Sequence, residues 1–375
     1  MGARLRRREQ LRPPLARRDR HRPGLQLRLA GLRRGAARAA RVQAEQPPDL
    51  RPGPPPHRRL RRPRPPPLGV HAGAGETLEE FRSEASAWRL LGLFDITPET
   101  ARLDRYGVYT TQACYADTWR SGRVFLAGDA AHVMPPFLGQ GMSSGFRDVV
   151  NLAWKLDLVH RGVADDTLLD SYEVERRAHV QHAIRMSMDS GAVICETDQK
   201  KAAGRDSVML AALRRRTQQR HARSLREAIV DGVLRRDPDG NPAPYAGAPA
   251  VQGRVTVGDR TGRFDEVVGT GFVLLTREPA TLDADATAFL DTLGAHRVTV
   301  RPADSAAGPP PGDAAAPTEV VDLDGVHLAW LADANADAVL VRPDFYVFGV
   351  AAGPDGPAAL VDDLRRQVAA RALHP

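Results

Sequence analysis

The stretch from Ser121 to Gly162 constrains the fold more than any other part of the chain. It reads SGRVFLAGDAAHVMPPFLGQGMSSGFRDVVNLAWKLDLVHRG. Its first part, Arg123 to Ala127, is a short apolar run that predicts a buried strand. Gly128 and Asp129 end that strand, a turn with two prolines follows, and Gly141 begins a pattern typical of a long helix. The apolar positions of that helix recur at spacings of three and four, at Val149, Ala153, Leu156 and Val159.

This order of strand, turn and helix predicts a ligand site around Asp129. A carboxylate just past a buried strand lies where open α/β sheets present their ligands. It can accept hydrogen bonds from sugar or sugar-alcohol hydroxyls, each worth roughly 1.5–3 kcal/mol. Gly139 and Gly141 allow the backbone to approach a flat ligand closely, because they have no Cβ. The N–H groups of Met142 and Ser143 point out of the helix start, which favours negative charge.

The same run resembles a flavin-binding motif. GRVFLAGDAAHVMPPFLGQGMSSGFRDVVNLAWKL is similar to the second flavin-binding motif of FAD-dependent aromatic hydroxylases, most of all the 3-(3-hydroxyphenyl)propionate hydroxylase-like monooxygenases. The resemblance implies that Asp129 contacts the ribityl chain, and that Pro135 and Pro136 lie near the reactive edge of the isoalloxazine as the catalytic pair. Met142 and Ser143 would donate N–H groups to the pyrimidine edge. The full implied FAD-binding set is Gly128, Asp129, Gly139, Gly141, Met142 and Ser143.

The resemblance also implies an activity and a fold. The activity is hydroxylation of a small phenolic substrate, in which NAD(P)H reduces FAD and O₂ supplies the oxygen. The fold is α/β with α+β elements: part of a FAD/NAD(P)-binding monooxygenase domain over residues 76–240, a linker over 241–258, and a thioredoxin-like domain over 259–375. That last domain has no CxxC, so thioredoxin-type redox chemistry is excluded.

Residues 1–75 differ from the rest in composition. They contain 20 Arg and 13 Pro but no Phe, Trp, Tyr or Ile, so they cannot bury enough apolar surface to offset the entropy of ordering. We expect disorder, with a short helix around Gly31 to Gln46. The segment is a basic arm for nucleic acid, a linker, or the product of a shifted reading frame in GC-rich DNA. The third is favoured, and removal of the segment is then expected to leave the rest folded.

One element of the family is missing from the sequence. Family members hold the ADP half of FAD with a strand, a GxGxxG turn and a helix. Gly73-Ala-Gly75 lacks the third glycine, and Gly269-Thr-Gly271 lies inside a strand-like run. The chain therefore resembles the C-terminal portion of such an enzyme, and weak or absent FAD binding is expected. The alternative function is a non-catalytic remnant or interaction module built on the thioredoxin-like domain.

Several polar residues of the motif are interpreted as structural. His132 is either a proton relay or, preferably, a turn histidine satisfied by backbone. Arg147 and Asp148 are expected to pair locally at the surface, and Lys155 to be solvated. Asn151 and Trp154 are assigned to packing or local hydrogen bonds. A second helix over Thr167 to Met188 is predicted to bury Leu168, Tyr172, Ile184 and Met188, with its charged face formed by Glu173, Glu175, Arg176 and Arg177.

The remaining predictions concern the two ends of the folded region. A helical pattern runs over Leu78 to Leu93 with Thr77 as its cap, followed by a strand from Arg102 whose Tyr106, Tyr109 and Tyr115 either meet an aromatic substrate or are half-buried, the latter being favoured. Further on, we predict strands at Phe272–Leu275, Val298–Val300, Val339–Arg342 and Tyr346–Val350, helices at Asp283–Leu293 and Ala358–Leu373, a charged, helix-prone stretch from Arg205 to Arg236 and a loop at Ala303–Pro317.

Partners and location follow from charge and hydropathy. The net charge of +7 comes from the first 75 residues, since the rest of the chain is acidic. Nucleic acid is not expected as a partner, because that segment has neither Lys nor an aromatic residue for base stacking. No apolar run approaches the length of a membrane helix. Two cysteines without a CxxC fit a reducing cytoplasm, and a homo-oligomer is left open.

Overall fold

The computed structural model describes residues 19–30, 68–71, 79–196, 198–216, 228–306 and 317–369. Within them the chain is mixed α/β, as predicted, and divides into two compact units. The larger unit contains Cys114–Asp189 and the described part of Ala211–Pro375. The smaller unit contains the described part of Arg18–Ala113 together with Ser190–Leu210. Within the described ranges, no helix has both the length and the apolarity that a membrane span requires.

Strands and helices alternate along most of the chain. The strands are β1 (Asp19–Ala30), β2 (Leu68–His71), β3 (Arg102–Tyr115), β4 (Arg120–Ser121), β5 (Val124–Phe125), β6 (His132–Val133), β7 (Arg254–Val257), β8 (Arg260–Arg263), β9 (Val273–Thr276), β10 (His296–Arg301), β11 (Thr318–Asp322), β12 (Ala338–Val341) and β13 (Val347–Ala351). The α-helices are α1 (Glu84–Gly92), α2 (Gln140–His160), α3 (Asp170–Ile194), α4 (Gln199–Arg216), α5 (Phe264–Val268), α6 (Ala284–Leu293), α7 (Val326–Asp333) and α8 (Gly356–Ala369).

The smaller unit corrects the expectation of disorder for two pieces of the N-terminal segment. β1 pairs antiparallel with both β2 and β3, and in the register of this sheet Leu27 is paired with Leu68 of β2 and with Tyr106 of β3. The reason lies in GLQLRLA, where leucine alternates with polar residues at the period of a strand. An average over 75 residues concealed that local pattern. The helix expected around Gly31 to Gln46 lies outside the described residues.

Helix α1 packs its apolar side in the smaller unit. Phe81, Leu90 and Leu91 are buried, with the half-buried strand residues Leu103 and Tyr106 packed against them. The helix begins at Glu84 because the Ser83 side chain accepts the N–H of Ser86 at 3.1 Å. The predicted cap Thr77 lies outside the described residues, as does the side chain of Tyr109.

The larger unit is built on a seven-stranded sheet with the order β13-β12-β9-β10-β11-β7-β8. β9, β10 and β11 are parallel, and β12 and β13 form an antiparallel hairpin. Alternate residues of β9 enter two cores: Leu274 lies with α2, α6 and α8, and Leu275 lies with α5 and α7. Both faces of the central strands are therefore covered, which explains their continuous apolar sequences.

Most elements of this sheet follow the sequence prediction. Helix α6 is capped by the Asp283 side chain, and α8 buries Leu360, Leu364 and Val368. The hairpin lies where Pro343 and Asp344 predicted it. Helix α4 ends at Arg216 and residues 217–227 lie outside the described ranges, as do 307–316 of the predicted loop. The thioredoxin-like assignment and the boundaries at 240 and 258 stay predictions.

The strand predicted at Arg123–Ala127 is wrong in extent. Of its residues, only Val124 and Phe125 belong to a paired strand, and they pair antiparallel with β4 across a tight turn in which Gly122 has a φ of +55°. Val124 is exposed and Phe125 is buried. Asp129 therefore does not follow a strand of a parallel sheet, and the placement of a ligand site at such a sheet's carboxyl edge does not apply.

Helix α2 is where the sequence predicted it, but the face that it buries is rotated from the predicted apolar stripe, of which Leu156 and Val159 are half-buried. Val149 is 51% exposed and Ala153 is exposed, although both belong to the predicted apolar stripe. Helix α3 follows a single 3-10 turn, Asp166–Leu169, in which Leu168 is buried. The helix itself buries Tyr172 and Ile184 as predicted, and Met188 is half-buried. The residues that α2 buries are Ser144, Asp148, Asn151, Leu152, Trp154, Lys155 and Leu158.

A proline in β1 tests whether the N-terminal strand forms. Leu27→Pro removes a ladder N–H in a strand that is paired on both sides, which is expected to cost roughly 1–3 kcal/mol. The expected result is faster amide hydrogen exchange in peptides from Arg102–Ala113, measured by mass spectrometry.

The matched control is Leu27→Val, which keeps the backbone donor and is expected to change stability by less than about 1 kcal/mol. Equal exchange in the two variants would show that the segment does not pair with β3.

Candidate functional site

The turn that carries Asp129 lies directly against α2. Gly128–Ala130 forms one 3-10 turn, in which Gly128 has a φ of +57°. A Cβ built on Gly145 of α2 would lie 3.2 Å from the Gly128 Cα. The two glycines therefore allow the turn to lie closer to the helix than side chains would permit. Asp129 is exposed on this turn, so its carboxylate is available to a ligand.

A buried aspartate holds the turn in place. The Asp148 carboxylate accepts the N–H of Gly128 at 2.9 Å, and its Oδ2 is 2.6 Å from His132 Nε2. Its second oxygen accepts Arg176 Nε at 3.0 Å. Both side chains of the His132–Asp148 pair are fully buried. The backbone of Gly128, one residue before Asp129, is therefore fixed by a carboxylate 20 residues further along the chain.

The charge state of this group of residues follows from its surroundings. Burial acts to raise the pKa of Asp148, but the hydrogen bond from His132 and the positive charge of Arg176 outweigh it and hold that pKa below its ordinary value. Burial, together with the charges of Arg176 and Arg147, lowers the pKa of His179 to about 3. His179 is therefore neutral at pH 7, and its Nδ1 accepts Arg176 Nη2 at 3.3 Å.

The start of α2 is open. Its N-cap residue is Gly139 in the left-handed conformation, which has no side chain to satisfy the first-turn N–H groups. Gly141 and Ser143 are half-buried, and Met142 is 72% exposed. An exposed apolar side chain therefore lies next to the uncapped first turn of a helix, an arrangement that fits a flat ring with a polar edge.

The two prolines of the turn have different environments. Pro135 is buried, and its carbonyl accepts the hydroxyl of Ser187, which is itself buried on α3. Pro136 is exposed and begins a 3-10 turn, Pro136–Leu138, that leads into Gly139. The predicted catalytic pair is thus brought to the same turn, but only Pro136 presents its ring at the surface.

A second buried network joins α2 and α3 to the β12–β13 hairpin. Lys155 Nζ is 2.8 Å from Glu175 Oε2, and Arg342 Nη2 is 2.6 Å from the same oxygen. The guanidinium also binds Asp344 through Nε at 3.0 Å and the Val233 carbonyl at 2.9 Å. All five N–H groups of Arg342 are used in this way, and its side chain is fully buried.

Asn151 completes this network. Its Nδ2 donates to Glu175 at 2.6 Å and to Asp344 at 2.7 Å, and its Oδ1 accepts Lys155 Nζ at 2.9 Å. Two cations and two carboxylates are therefore buried together with no net charge. Each has the partners that make burial of an ion tolerable. Burial lowers the pKa of Lys155 to about 8, although Glu175 acts in the opposite direction.

These networks overturn several interpretations made from the sequence. Lys155 is fully buried and not solvated, and Asp148 binds Gly128, His132 and Arg176 instead of forming a local surface pair. The His132 ring is satisfied at Nε2 by a carboxylate and not by backbone. Glu175 and Arg176 are fully buried and do not belong to an exposed charged face. The physical reason is the same for all, because their partners come from distant parts of the chain.

The interpretations of Trp154 and of the β3 tyrosines agree with the structure. Trp154 packs in the sheet core with its ring centre 5.5 Å from that of Phe272. Tyr106 and Tyr115 are half-buried on β3, as favoured. A signal for the missed residues was present: Asp148, Asn151 and Lys155 recur at spacings of three and four and share one helix face. The spacing alone does not reveal that this face is buried, because polar residues on a helix are usually solvated.

Family models match both parts of the chain. Residues 60–187 match the model described as FAD binding domain, and residues 247–367 match the HcaD C-terminal domain. A probable NADH-specific resorcinol 4-hydroxylase of Rhodococcus jostii (strain RHA1) is 37% identical over 295 residues, which cover 78% of this chain and 51% of that protein. A 3-(3-hydroxy-phenyl)propionate/3-hydroxycinnamic acid hydroxylase of Mycobacterium sp. (strain KMS) is 37% identical over 293 residues, 76% of this chain and 51% of that protein.

Solved structures share the fold. Aklavinone-11 hydroxylase, crystallised with FAD and aklavinone, aligns with a TM-score of 0.58 and 22% identity, covering 94% of this chain and 63% of its own. OxyS anhydrotetracycline hydroxylase from Streptomyces rimosus aligns with a TM-score of 0.56 and 24% identity, covering 81% of this chain and 55% of its own. The family resemblance drawn from the motif is confirmed, and the chain spans about half the length of the curated relatives that it matches.

Asp148→Asn tests the network beneath the turn. The amide keeps the shape but removes the charge that Arg176 and His132 face, so the expected loss of unfolding free energy is roughly 3–5 kcal/mol. The measurement is urea denaturation followed by circular dichroism. Asp157→Asn is the control on the same helix, since its side chain is 58% exposed. If Asp148→Asn lost no more unfolding free energy than the control, Asp148 would not be a buried carboxylate paired with Arg176 and His132.

Lys155→Met tests the second network through its pH dependence. The variant leaves a net negative charge buried, so a loss of roughly 3–5 kcal/mol is expected at pH 7. Because the folded pKa of about 8 lies below the ordinary 10.5, the unfolded wild type binds more protons between these values. The Lys155 contribution therefore makes the wild type more stable as the pH rises through that window, and the variant lacks this rise.

The measurement is the free energy of unfolding at several pH values for both proteins. The exposed Lys200 provides the control variant Lys200→Met, which is expected to follow the wild type throughout. Parallel curves for wild type and Lys155→Met between pH 8 and 10.5 would contradict a buried ammonium.

Proposed function

Because the chain belongs to the family of FAD-dependent aromatic hydroxylases, we propose that its Gly128–Ala130 turn and the start of α2 hold the ribityl and isoalloxazine part of FAD. The proposed activity is hydroxylation of a small phenolic compound with NAD(P)H and O₂. The observation that carries the proposal is the direct packing of the Gly128 turn on Gly145 of α2. It brings the turn that carries Asp129 next to the open start of the helix.

In the proposed site, a carboxylate contacts the ribityl chain of FAD, and backbone groups contact its ring. Asp129 is exposed on a turn whose backbone Asp148 fixes, so it can accept hydroxyls of the ribityl chain. Gly139 and Gly141 allow the ring to approach the backbone. Met142 and Ser143 present N–H groups at the positive end of a 21-residue helix, where a negative pyrimidine edge is favoured by roughly 0.3–1 kcal/mol.

The prolines have separate proposed tasks. Pro136 is exposed, so its ring can lie against the reactive edge of the bound flavin and the substrate. Pro135 is buried and tied to Ser187, so it sets the path of the chain into Gly139. When bound, FAD supplies the transfer of electrons from the nicotinamide to oxygen. The contribution of this chain is to orient the ring, stabilise its negative edge and exclude water beside it.

The relatives indicate the substrate class. Their names contain resorcinol and hydroxyphenylpropionate, which are both small phenols, and one is called NADH-specific. We therefore propose a small phenolic substrate and NADH as the electron donor. The proposed compartment is the cytoplasm, since both Cys114 and Cys195 are free thiols. Association into a homo-oligomer is part of the same proposal.

A second function is favoured by one specific feature of the sequence. No GxGxxG turn is present in the printed sequence, so the chain has no evident clamp for the ADP half of FAD. The alternative is a non-catalytic interaction module based on the C-terminal sheet. The two functions differ in a simple observation: the purified 375-residue chain either shows or can be reconstituted to show a flavin absorbance band, or it stays colourless.

Asp129→Ala tests the flavin assignment. Loss of the ribityl contacts is expected to raise the dissociation constant of FAD roughly 10- to 100-fold, the equivalent of about 1.5–3 kcal/mol. The measurement is the quenching of FAD fluorescence on titration with the full chain, which does not depend on turnover.

Asp157→Ala is the matched control, because it removes an exposed carboxylate from α2 away from the turn. It is expected to bind FAD as the wild type does. Equal affinity of Asp129→Ala and the control would refute the ribityl contact, and no binding by any of the three proteins would favour the interaction module.

A further inference from the structure

The solvent-facing side of α2 is apolar over most of its length. Its residues recur at helical spacing, and the larger side chains include Phe146, which is 63% exposed, and Val150, which is 40% exposed. The exposed residues of this α2 patch are Met142, Phe146, Val149, Val150 and Ala153. They extend over three turns of the helix, roughly 16 Å. A continuous apolar patch of this kind, on the order of a few hundred Å², marks an interaction site.

The same face becomes polar near the end of the helix. Asp157 and His160 continue it with exposed side chains that suit a helix face in water. The α2 patch is equally open to solvent but has no polar side chain. The flavin ring is proposed to lie at the first turn of α2, so the two turns that carry Phe146 to Ala153 require a different and larger partner.

The patch adjoins the turn that carries Asp129. The Gly128 turn packs on Gly145, the residue before Phe146. Strand β5 leads into this turn, and among the described strands it pairs with β4 alone. Its second edge therefore offers backbone N–H and C=O groups to a further strand. A strand edge and an apolar helix face are thus presented on either side of one turn.

The charges around the patch favour a protein partner over a lipid surface. The patch itself has no cation, and exposed carboxylates lie on the adjoining turn at Asp129 and one helical turn beyond its end at Asp157. Anionic membranes attract clusters of Lys and Arg, and they repel carboxylates. The complement of an uncharged apolar helix face is an apolar face of another protein unit.

We propose that the α2 patch is the docking surface for a polypeptide unit, outside these 375 residues, that contains a strand, a GxGxxG turn and a helix. The inference rests on the proposed function, because such a unit would hold the ADP half of the FAD whose ring lies at α2. A parallel strand covered by its own helix on one face needs apolar cover on the other, and the patch supplies it.

Two further observations select this occupant. The chain spans about half the length of the curated relatives that it matches, and its sequence has no GxGxxG turn. A second copy of the chain would cover the patch but would leave the ADP half of the cofactor without a protein contact. A unit with the missing turn meets both requirements.

The test is co-expression of the full chain with the other half of the Rhodococcus jostii relative, the part outside the matched region. A photoreactive benzoylphenylalanine replaces Val149, and cross-linked peptides are identified by mass spectrometry. The expected result is a one-to-one complex in which position 149 is cross-linked to that half. The same label in place of Glu278, whose side chain is 81% exposed, is expected to give no such cross-link.

Phe146→Asp and Val208→Asp form a matched pair of variants. Each places a carboxylate at an exposed apolar position of a helix, so both are expected to keep the thermal transition of the wild type. Phe146→Asp puts an unpaired charge into the docked surface and is expected to weaken the complex at least about 100-fold. Val208→Asp on α4 is expected to leave it unchanged. The measurement is dilution of the purified complexes, followed by analytical ultracentrifugation.

The outcomes separate docking from flavin binding. Cross-links from position 149 to a second copy or to residues 1–75, a complex that tolerates Phe146→Asp, or no complex at all would overturn the inference. Quenching of FAD fluorescence then tests the cofactor independently. A complex that binds no FAD supports the docking surface and counts against the flavin site, whereas FAD binding by the chain without any complex does the reverse.

Discussion

The larger unit depends on two cations and two carboxylates that are buried together without net charge. Arg342 uses all five of its N–H groups, and Lys155, Glu175 and Asp344 are each bound by at least two partners. Desolvation of such charges is expensive, so the cluster is tolerated only while every member stays in place. It therefore connects α2, α3 and the β12–β13 hairpin in addition to the two apolar cores of the sheet.

Pairing of buried charges also fixes the position of the candidate site. Asp148 is held between Arg176, His132 and the N–H of Gly128, so the exposed turn of Asp129 is fixed from below by ionic contacts. A flexible turn would have to be ordered when a cofactor binds, at a cost in entropy. The polar residues on the buried side of α2 therefore fix the backbone of the exposed turn that carries Asp129, the turn that we propose contacts flavin.

Local patterns in the sequence determined most of the elements. The apolar spacing of Leu360, Leu364 and Val368, the capping Asp283 and the Pro343–Asp344 turn predicted α6, α8 and the hairpin, because each of these signals acts over a few residues. The order of glycines, prolines and Asp129 in the motif likewise predicted a turn that leads into a long helix, and the structure has this turn and helix. Strand β1 also has a local signal, the alternating leucines of GLQLRLA. The arginine- and proline-rich composition of residues 1–75 as a whole conceals it.

By itself, then, the sequence determined the family, and the strands β9, β10, β12 and β13 with the helices α6 and α8 of the C-terminal part. The residues assigned to flavin remain predictions. Only the tertiary structure decided which side of α2 is buried, because Lys155, Asn151 and Asp148 read as solvated until Glu175, Asp344 and Arg176 arrive from elsewhere in the chain. A charge can be buried only where an opposite charge meets it, and that meeting is a property of the fold and not of either segment.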